Sequence, residues 1–243
     1  MTSEKQPHPK FEDQAAKQQE KSLLWELFFN LCLPTLILMK GHIWFPLSPK
    51  ASLAIAIACP LSYGILDWVR DAHFNWIAFL GLISIAVKGS VGLFEGSNQW
   101  LAINEMMLPL IMGCTLVIFR LLHRPPFLPK FLLNEQFCYV ENILQKIKKK
   151  GNESLLQKHI LWYEWSLAGL FFFSAILNYL LARYLVIHPA GSAEFNHELG
   201  LLTGWSFVII AVPATLGLLI IVWRFFSQIK KLSELSWEEI LKN

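Results

Sequence analysis

Charge is scarce in this sequence. Only 16% of its 243 residues are Asp, Glu, Lys or Arg, against about 25% in an ordinary soluble domain. The deficit is uneven. Several runs of about 20 residues carry almost no charge, and an apolar run of that length crosses the roughly 30 Å hydrocarbon core of a bilayer as a helix. Cysteine is scarce too. Cys32, Cys59, Cys114 and Cys138 form no C-x-x-C pair, and three of them fall inside apolar runs, which argues against a disulfide framework or a zinc site. H-E-x-x-H, G-x-S-x-G and G-x-x-x-x-G-K-[ST] are missing altogether. Without those spacings nothing marks a metalloprotease, a serine hydrolase or a nucleotide-binding loop. We therefore expect a non-enzyme with no catalytic residue, no cofactor and no metal.

What is present is apolar and long. Six runs stand out: 23–39, 51–69, 74–95, 100–119, 161–187 and 200–225. They predict an all-α fold, a polytopic membrane helical bundle with six transmembrane helices over 23–225. Around it we place a disordered polar tail at 1–22, a cytoplasmic amphipathic insert at 126–158 and a short amphipathic helix within 226–243. The first run reads as a retained span, because Leu38-Met39-Lys40 at its end offers no small-x-small cleavage site.

Lysine and arginine set the orientation. With the N-terminus inside, 17 of the 21 fall on the inner side, and only Lys40 and Lys50 fall outside. Such asymmetry predicts cytoplasmic N- and C-termini in a multi-pass bacterial inner-membrane protein. The net charge of +3 follows from this topology, so nucleic acid is not an expected partner; the lipid bilayer is. Trp25, Trp44, Trp68, Trp76, Trp100, Trp162, Trp165, Trp205 and Trp223 lie near run ends, where an indole prefers the interface.

In the fourth loop, "HRPPFLP" breaks the helix. Leu133, Phe137, Val140, Leu144 and Ile147 then recur at helical spacing, with Lys146 to Lys150 beside them. That face suits a helix lying in the inner-leaflet interface, or one packed on the bundle's cytoplasmic mouth. Near the end, Ser236 and Glu239 fit a capping box.

Four polar residues within the apolar runs are candidate sites: Lys88, Glu105, Asn178 and Arg183. Lys88 lies roughly 10 Å, and Glu105 roughly 8 Å, below the outer ends of runs joined by a short turn. The two come to similar depth on antiparallel neighbours. Gly81, Ser84, Lys88, Gly92 and Glu95 share one face, opposite Leu80, Val87, Val91 and Phe94. Small residues allow close helix approach, so Lys88 is expected to face protein. Three readings stand: a structural pair with Glu105, a lysine reaching back to the outer headgroups, and a transport pathway. Asn30, Asp67, Glu26 and Glu164 read as interhelical or solvated groups. His188, Glu194, His197 and Glu198 read as a solvated outer loop. Pro34, Pro60, Pro109 and Pro213 interrupt four runs. Loose internal matches relate run one to four and run two to six, and no single repeat operation yields both.

The stretches "LAGLFFFSAILNYLLARYL" (167–185) and "FNHELGLLTGWSFVI" (195–209) together resemble the last two spans of intracellular septation protein A, a family of small bacterial inner-membrane proteins. Leu177, Asn178 and Ala182, then Gly200 to Gly204, carry the likeness. Trp100 after a short outer turn, and Arg124-Pro125 in a basic loop, follow in the same order. The likeness runs over roughly 51–225. The long cytoplasmic loop and Glu105 with Pro109 depart from it, as in a divergent branch of which some members are labelled transporters. The resemblance implies a role in cell-envelope maintenance and septation, through contacts with envelope or division membrane proteins, and brings no catalytic residues. The alternative is a small-solute or ion transporter using Lys88 and Glu105. The sequence sets no oligomeric state.

Overall fold

A computed structural model describes residues 28, 32–45, 47–71, 76–122, 124–135 and 137–241. The tail 1–22 and residues 23–27 and 29–31 of the first run, with Trp25, Glu26 and Asn30, lie outside the described residues. So do the surroundings of Asp67, Trp68, Arg70, Trp76 and Gly81.

Every regular element among the described residues is helical. In chain order they are α1 (Leu33–Trp44), α2 (Pro49–Asp71), α3 (Trp76–Leu93), α4 (Asn98–Leu121), α5 (Phe127–Leu132), α6 (Val140–Lys149), α7 (Glu153–Leu185), α8 (Ala193–Ser206), a π-turn at Phe207–Ala211, α9 (Val212–Ser233) and α10 (Trp237–Ile240). The all-α expectation is met. Three stretches are long and apolar enough to cross a membrane: α4, α7, and the continuous helix Ala193–Ser233. They coincide with the last three of the six apolar runs. Two shorter apolar stretches, Pro49–Ser62 and Ile83–Leu93, lie in α2 and α3.

The prolines act differently at different places. Pro34 falls in the first turn of α1, where its missing N–H matters least. Pro60 and Pro109 lie inside α2 and α4. Pro213 lies two residues past the end of the π-turn. Its ring crowds the carbonyl of residue 209 and removes a donor to it, and a wider turn over 207–211 relieves that conflict.

The helices gather into two compact units. One comprises residues up to Leu101 together with Ala182–Trp205; the other comprises Ala102–Leu181 and Ser206 onward. In the first unit α1 packs on α2, and α2 on α3. The contact is close at Gly92. A Cβ there would stand 2.2 Å from Leu53 Cδ2 and 3.1 Å from Phe195 Cε1. Leu53 and Phe195 are fully buried, so the absence of a side chain at 92 lets α3 reach them. Val91, expected on the opposite face, is also buried. Phe94 stays exposed, as expected.

In the second unit α6 and α10 pack together, and α6 packs on α9. Ile143 and Ile147 of α6, Phe225 and Ile229 of α9 and Ile240 of α10 are fully buried in one cluster. Each such side chain contributes about 1.5–3 kcal/mol by leaving water. The buried face of α6 differs from the expected one. Asn134 O accepts from the N–H groups of Phe137 and Cys138, and Cys138 pairs in antiparallel fashion with Leu241. This turn and bridge break the helical period before Val140. Phe137 and Leu144 are therefore exposed, and Ile143 takes the inward place. The inward face of α6 packs on α9 and α10.

Two helices end on glutamates with positive φ, Glu95 at 56° and Glu234 at 58°. These are the only non-glycine residues of that kind among the described residues. After Glu95, the Gly96 N–H returns to Val91 O at 2.7 Å, the 6→1 bond of a Schellman ending. Glycine normally fills the left-handed position. Here each glutamate instead pairs with a lysine from another segment, Lys50 with Glu95 at 2.8 Å and Lys150 with Glu234.

Candidate functional site

The first unit carries a polar cluster built from three loops. Its centre is the segment Val186–His188, which follows the last turn of α7. Glu198, in the second turn of α8, turns its carboxylate onto this segment. Oε2 accepts from the N–H groups of Ile187 at 2.9 Å and His188 at 3.0 Å, and Oε1 lies 2.5 Å from His188 Nδ1. The first residue of α4, Asn98, takes the carbonyls: its Nδ2 donates to Val186 O at 3.2 Å and His188 O at 2.8 Å. Asn196 donates to Pro49 O at 2.6 Å and so ties α8 to the start of α2. The Ser192 hydroxyl accepts from Phe195 N at 3.0 Å, an N-cap that starts α8. Gly191, at φ 89°, makes the tight turn before it.

Each bond has a local cause. The chain leaves α7 with backbone groups that no helix pairs, and a buried N–H or C=O without a partner is costly. A glutamate and an asparagine carry the two complementary functions. The expectation of a solvated loop is met at His188 and Glu194, which are exposed. It is corrected at Glu198, which is buried at 9% exposure, as is its neighbour Asn196 at 2%, because both side chains turn onto backbone groups of the cluster.

Beside this cluster lies a cavity of about 400 Å³ lined by Lys40, His188, Glu194, His197 and Glu198, with apolar walls from Met39, Ile43 and Ala193. The described residues hold no group of three or more His, Cys, Asp or Glu placed to bind a metal. Chemically the arrangement can hold a proton between His188 and Glu198. At the neighbouring rim, the Lys50 hydrogen bond and then its charge hold the Glu95 carboxyl below the usual carboxylate range.

The sequence-predicted candidates divide between the units. Lys88 on α3 and Arg183 near the end of α7 belong to the first, Glu105 on α4 and Asn178 on α7 to the second. Lys88 and Glu105 are half-buried, and Arg183 is exposed. Asn178 donates to Ser174 O, one turn back, at 2.8 Å.

Sequence reasoning passed over a second buried carboxylate. Glu164 on α7, read as solvated, is 7% exposed. Its Oε1 accepts from Phe127 N and from Leu128 N, the latter at 3.2 Å. These are the first donors of α5, which follows Pro125-Pro126 and has no capping side chain of its own. The signal was present in "HRPPFLP": a helix opened by prolines leaves orphan N–H groups that need an acceptor. Nothing in the sequence said which one. Compared with known proteins, the chain matches no family model, no curated protein and no solved structure.

Proposed function

We propose that the chain is a six-span inner-membrane protein with both termini in the cytoplasm. In this reading it works without catalysis, through contacts with envelope or division membrane proteins, in the manner of the septation protein A-like proteins it resembles. One observation carries the reading. The three segments that the charge count assigns to the outer side are 40–50, 96–99 and 188–199, and Glu95 and Val186 are in the ends of the runs that border them. In the first unit they are bonded to one another, through Lys50 with Glu95, Asn98 with Val186 and His188, and Asn196 with Pro49. Helix ends that meet in this way belong on one side of a bilayer. The buried Glu198 carboxylate and Asn196 amide of this cluster, with the half-buried Asn98, bind backbone, which supports a structural cap rather than a substrate site.

The test has two parts. Reporters inserted at Gly191 and fused after Asn243 should be active on opposite sides of the membrane, and activity on the same side overturns the topology. Purification from native membranes in mild detergent should then recover division or cell-wall membrane proteins with the chain. Recovery of the chain alone with a bound small solute overturns the contact role.

A further inference from the structure

The second unit holds an open groove of about 510 Å³ between α7 and α9. Its floor is Tyr163, almost fully buried, whose hydroxyl donates to Arg224 O at 3.2 Å. That bond ties the two helices together through backbone and leaves the Arg224 side chain out of it. Trp162 stands edge-on to Tyr163 at 5.2 Å, and His159 stacks on it at 6.4 Å. His159 Nε2 lies 2.8 Å from Gln228 Nε2. The amide therefore donates to the ring's unprotonated nitrogen, and the ring keeps Nδ1–H as a donor.

We propose that this groove binds the phosphodiester headgroup of an anionic phospholipid. Charge complementarity comes first. Among the described residues, Arg224 is the sole formally charged one lining the groove, and no carboxylate lines it. A guanidinium is always charged and presents a planar fork that matches a phosphate. The Ser227 hydroxyl and the His159–Gln228 pair add neutral polar groups. Trp162 and Trp223 flank the site with exposures of 56% and 64%. Two indoles that open to the surroundings suit the headgroup layer, where one edge is apolar and the other wet. The groove also sits at the right level: His159 precedes the apolar run 161–187, and Arg224 closes the run 200–225.

A strip on α9 continues from the groove. Ile220 and Leu216 lie one and two turns before Arg224 on the same face, and both are more than half exposed. A phosphate held at Arg224 places its acyl chain along that strip. The volume is within the roughly 300–1,000 Å³ typical of ligand sites. The inference needs a bilayer around α7 and α9 and is independent of which leaflet faces the cytoplasm.

The experiment uses the full chain purified in mild detergent and examined by native mass spectrometry, with phosphatidylglycerol, phosphatidylcholine or inorganic phosphate added. Phosphatidylglycerol should be retained about tenfold better than phosphatidylcholine, because the choline ammonium, close to the phosphate both lipids share, is repelled by the Arg224 guanidinium and offsets the phosphate's charge. Millimolar inorganic phosphate should fail to displace it. Arg224→Gln should erase the preference, and Arg224→Lys should keep part of it. Equal retention of both lipids by the wild-type chain overturns the proposal, whatever the variants do. Displacement by inorganic phosphate overturns it too, because the site would then take soluble anions. A chain that stays monodisperse without lipid or detergent would instead overturn the membrane reading.

Discussion

Asn98 and Glu198 hold the same three-residue segment by its two chemical halves. Asn98 donates to the carbonyls of Val186 and His188, and Glu198 accepts from the N–H groups of Ile187 and His188. The segment has no helix to pair with, so the two side chains replace one. Removing either leaves part-buried peptide groups without that partner, at about 0.5–1.5 kcal/mol, the net worth of an ordinary hydrogen bond. We expect Glu198→Ala and Asn98→Ala each to lower the melting temperature in detergent. Because both act on one segment, the double variant should lose less than the sum of the two. Strict additivity in that cycle would show that the two grips are independent.

Gly92 sets the approach of α3 to α2. Gly92→Ala puts a methyl where Leu53 Cδ2 now lies. Overpacking of that kind costs about 1–3 kcal/mol. Leu53→Ala alone should also destabilise, by leaving a cavity. The combination should recover part of the Gly92→Ala loss. Thermal unfolding of the four proteins checks this, and an undisturbed Gly92→Ala single variant would refute the close contact.

Glu164 caps α5 from a distance of 37 residues in sequence. Glu164→Ala should release the segment 124–135 to limited proteolysis and cost about 1–3 kcal/mol. Glu164→Gln retains an acceptor oxygen and should keep most of the protection. Equal cleavage of wild type and Glu164→Ala would count against the cap.

The Lys50–Glu95 pair makes a prediction in pH. Lys50, by its hydrogen bond and then its charge, depresses the Glu95 carboxyl in the folded chain. A group whose folded pKa lies below its unfolded one stabilises above the unfolded value, and that share vanishes as pH falls through the folded value. Lys50→Met should therefore melt below wild type at pH 6, and the gap should close as the pH approaches about 3, below the ordinary carboxylate range. Both partners are more than half exposed, so the gap is small and should shrink in high salt as well. A gap that persists unchanged in acid would assign the effect to packing of the lysine stem.

Ser236 and Glu239 form the capping box expected from their spacing. Ser236 N donates to Glu239 Oε2 at 2.8 Å, and Glu239 N donates to the Ser236 hydroxyl at 3.3 Å. The box holds a helix of a single turn, Trp237–Ile240, whose end pairs with Cys138 and Tyr139. Ser236→Ala should cost about 1 kcal/mol and speed amide exchange at Tyr139, which donates to Ile240 O at 3.0 Å. Unchanged exchange there would show that α10 docks through Ile240 alone.

How much of this was legible depends on the range of each interaction. The capping box lies within four residues, and S-x-x-E reports it directly. The α6 face was misread, because the turn at Asn134 and the bridge from Cys138 to Leu241 interrupt a period that composition alone presents as continuous. Glu164 and Glu198 were read as wet for a related reason. A carboxylate near a helix end is usually solvated, and only the folded chain shows which backbone donors it meets.

By itself the sequence determined that the chain is helical and where its long apolar helices lie. It did so because transfer from water and helix formation are sums over neighbouring residues. It also determined the distribution of basic residues along the chain, from which the orientation is argued. Tertiary structure alone decided which carboxylates are buried and which loops are bonded together. It likewise brought Arg224 and His159 to one groove between two indoles. Those outcomes depend on partners many residues apart, whose meeting is set by helix packing and leaves no periodic trace in the chain.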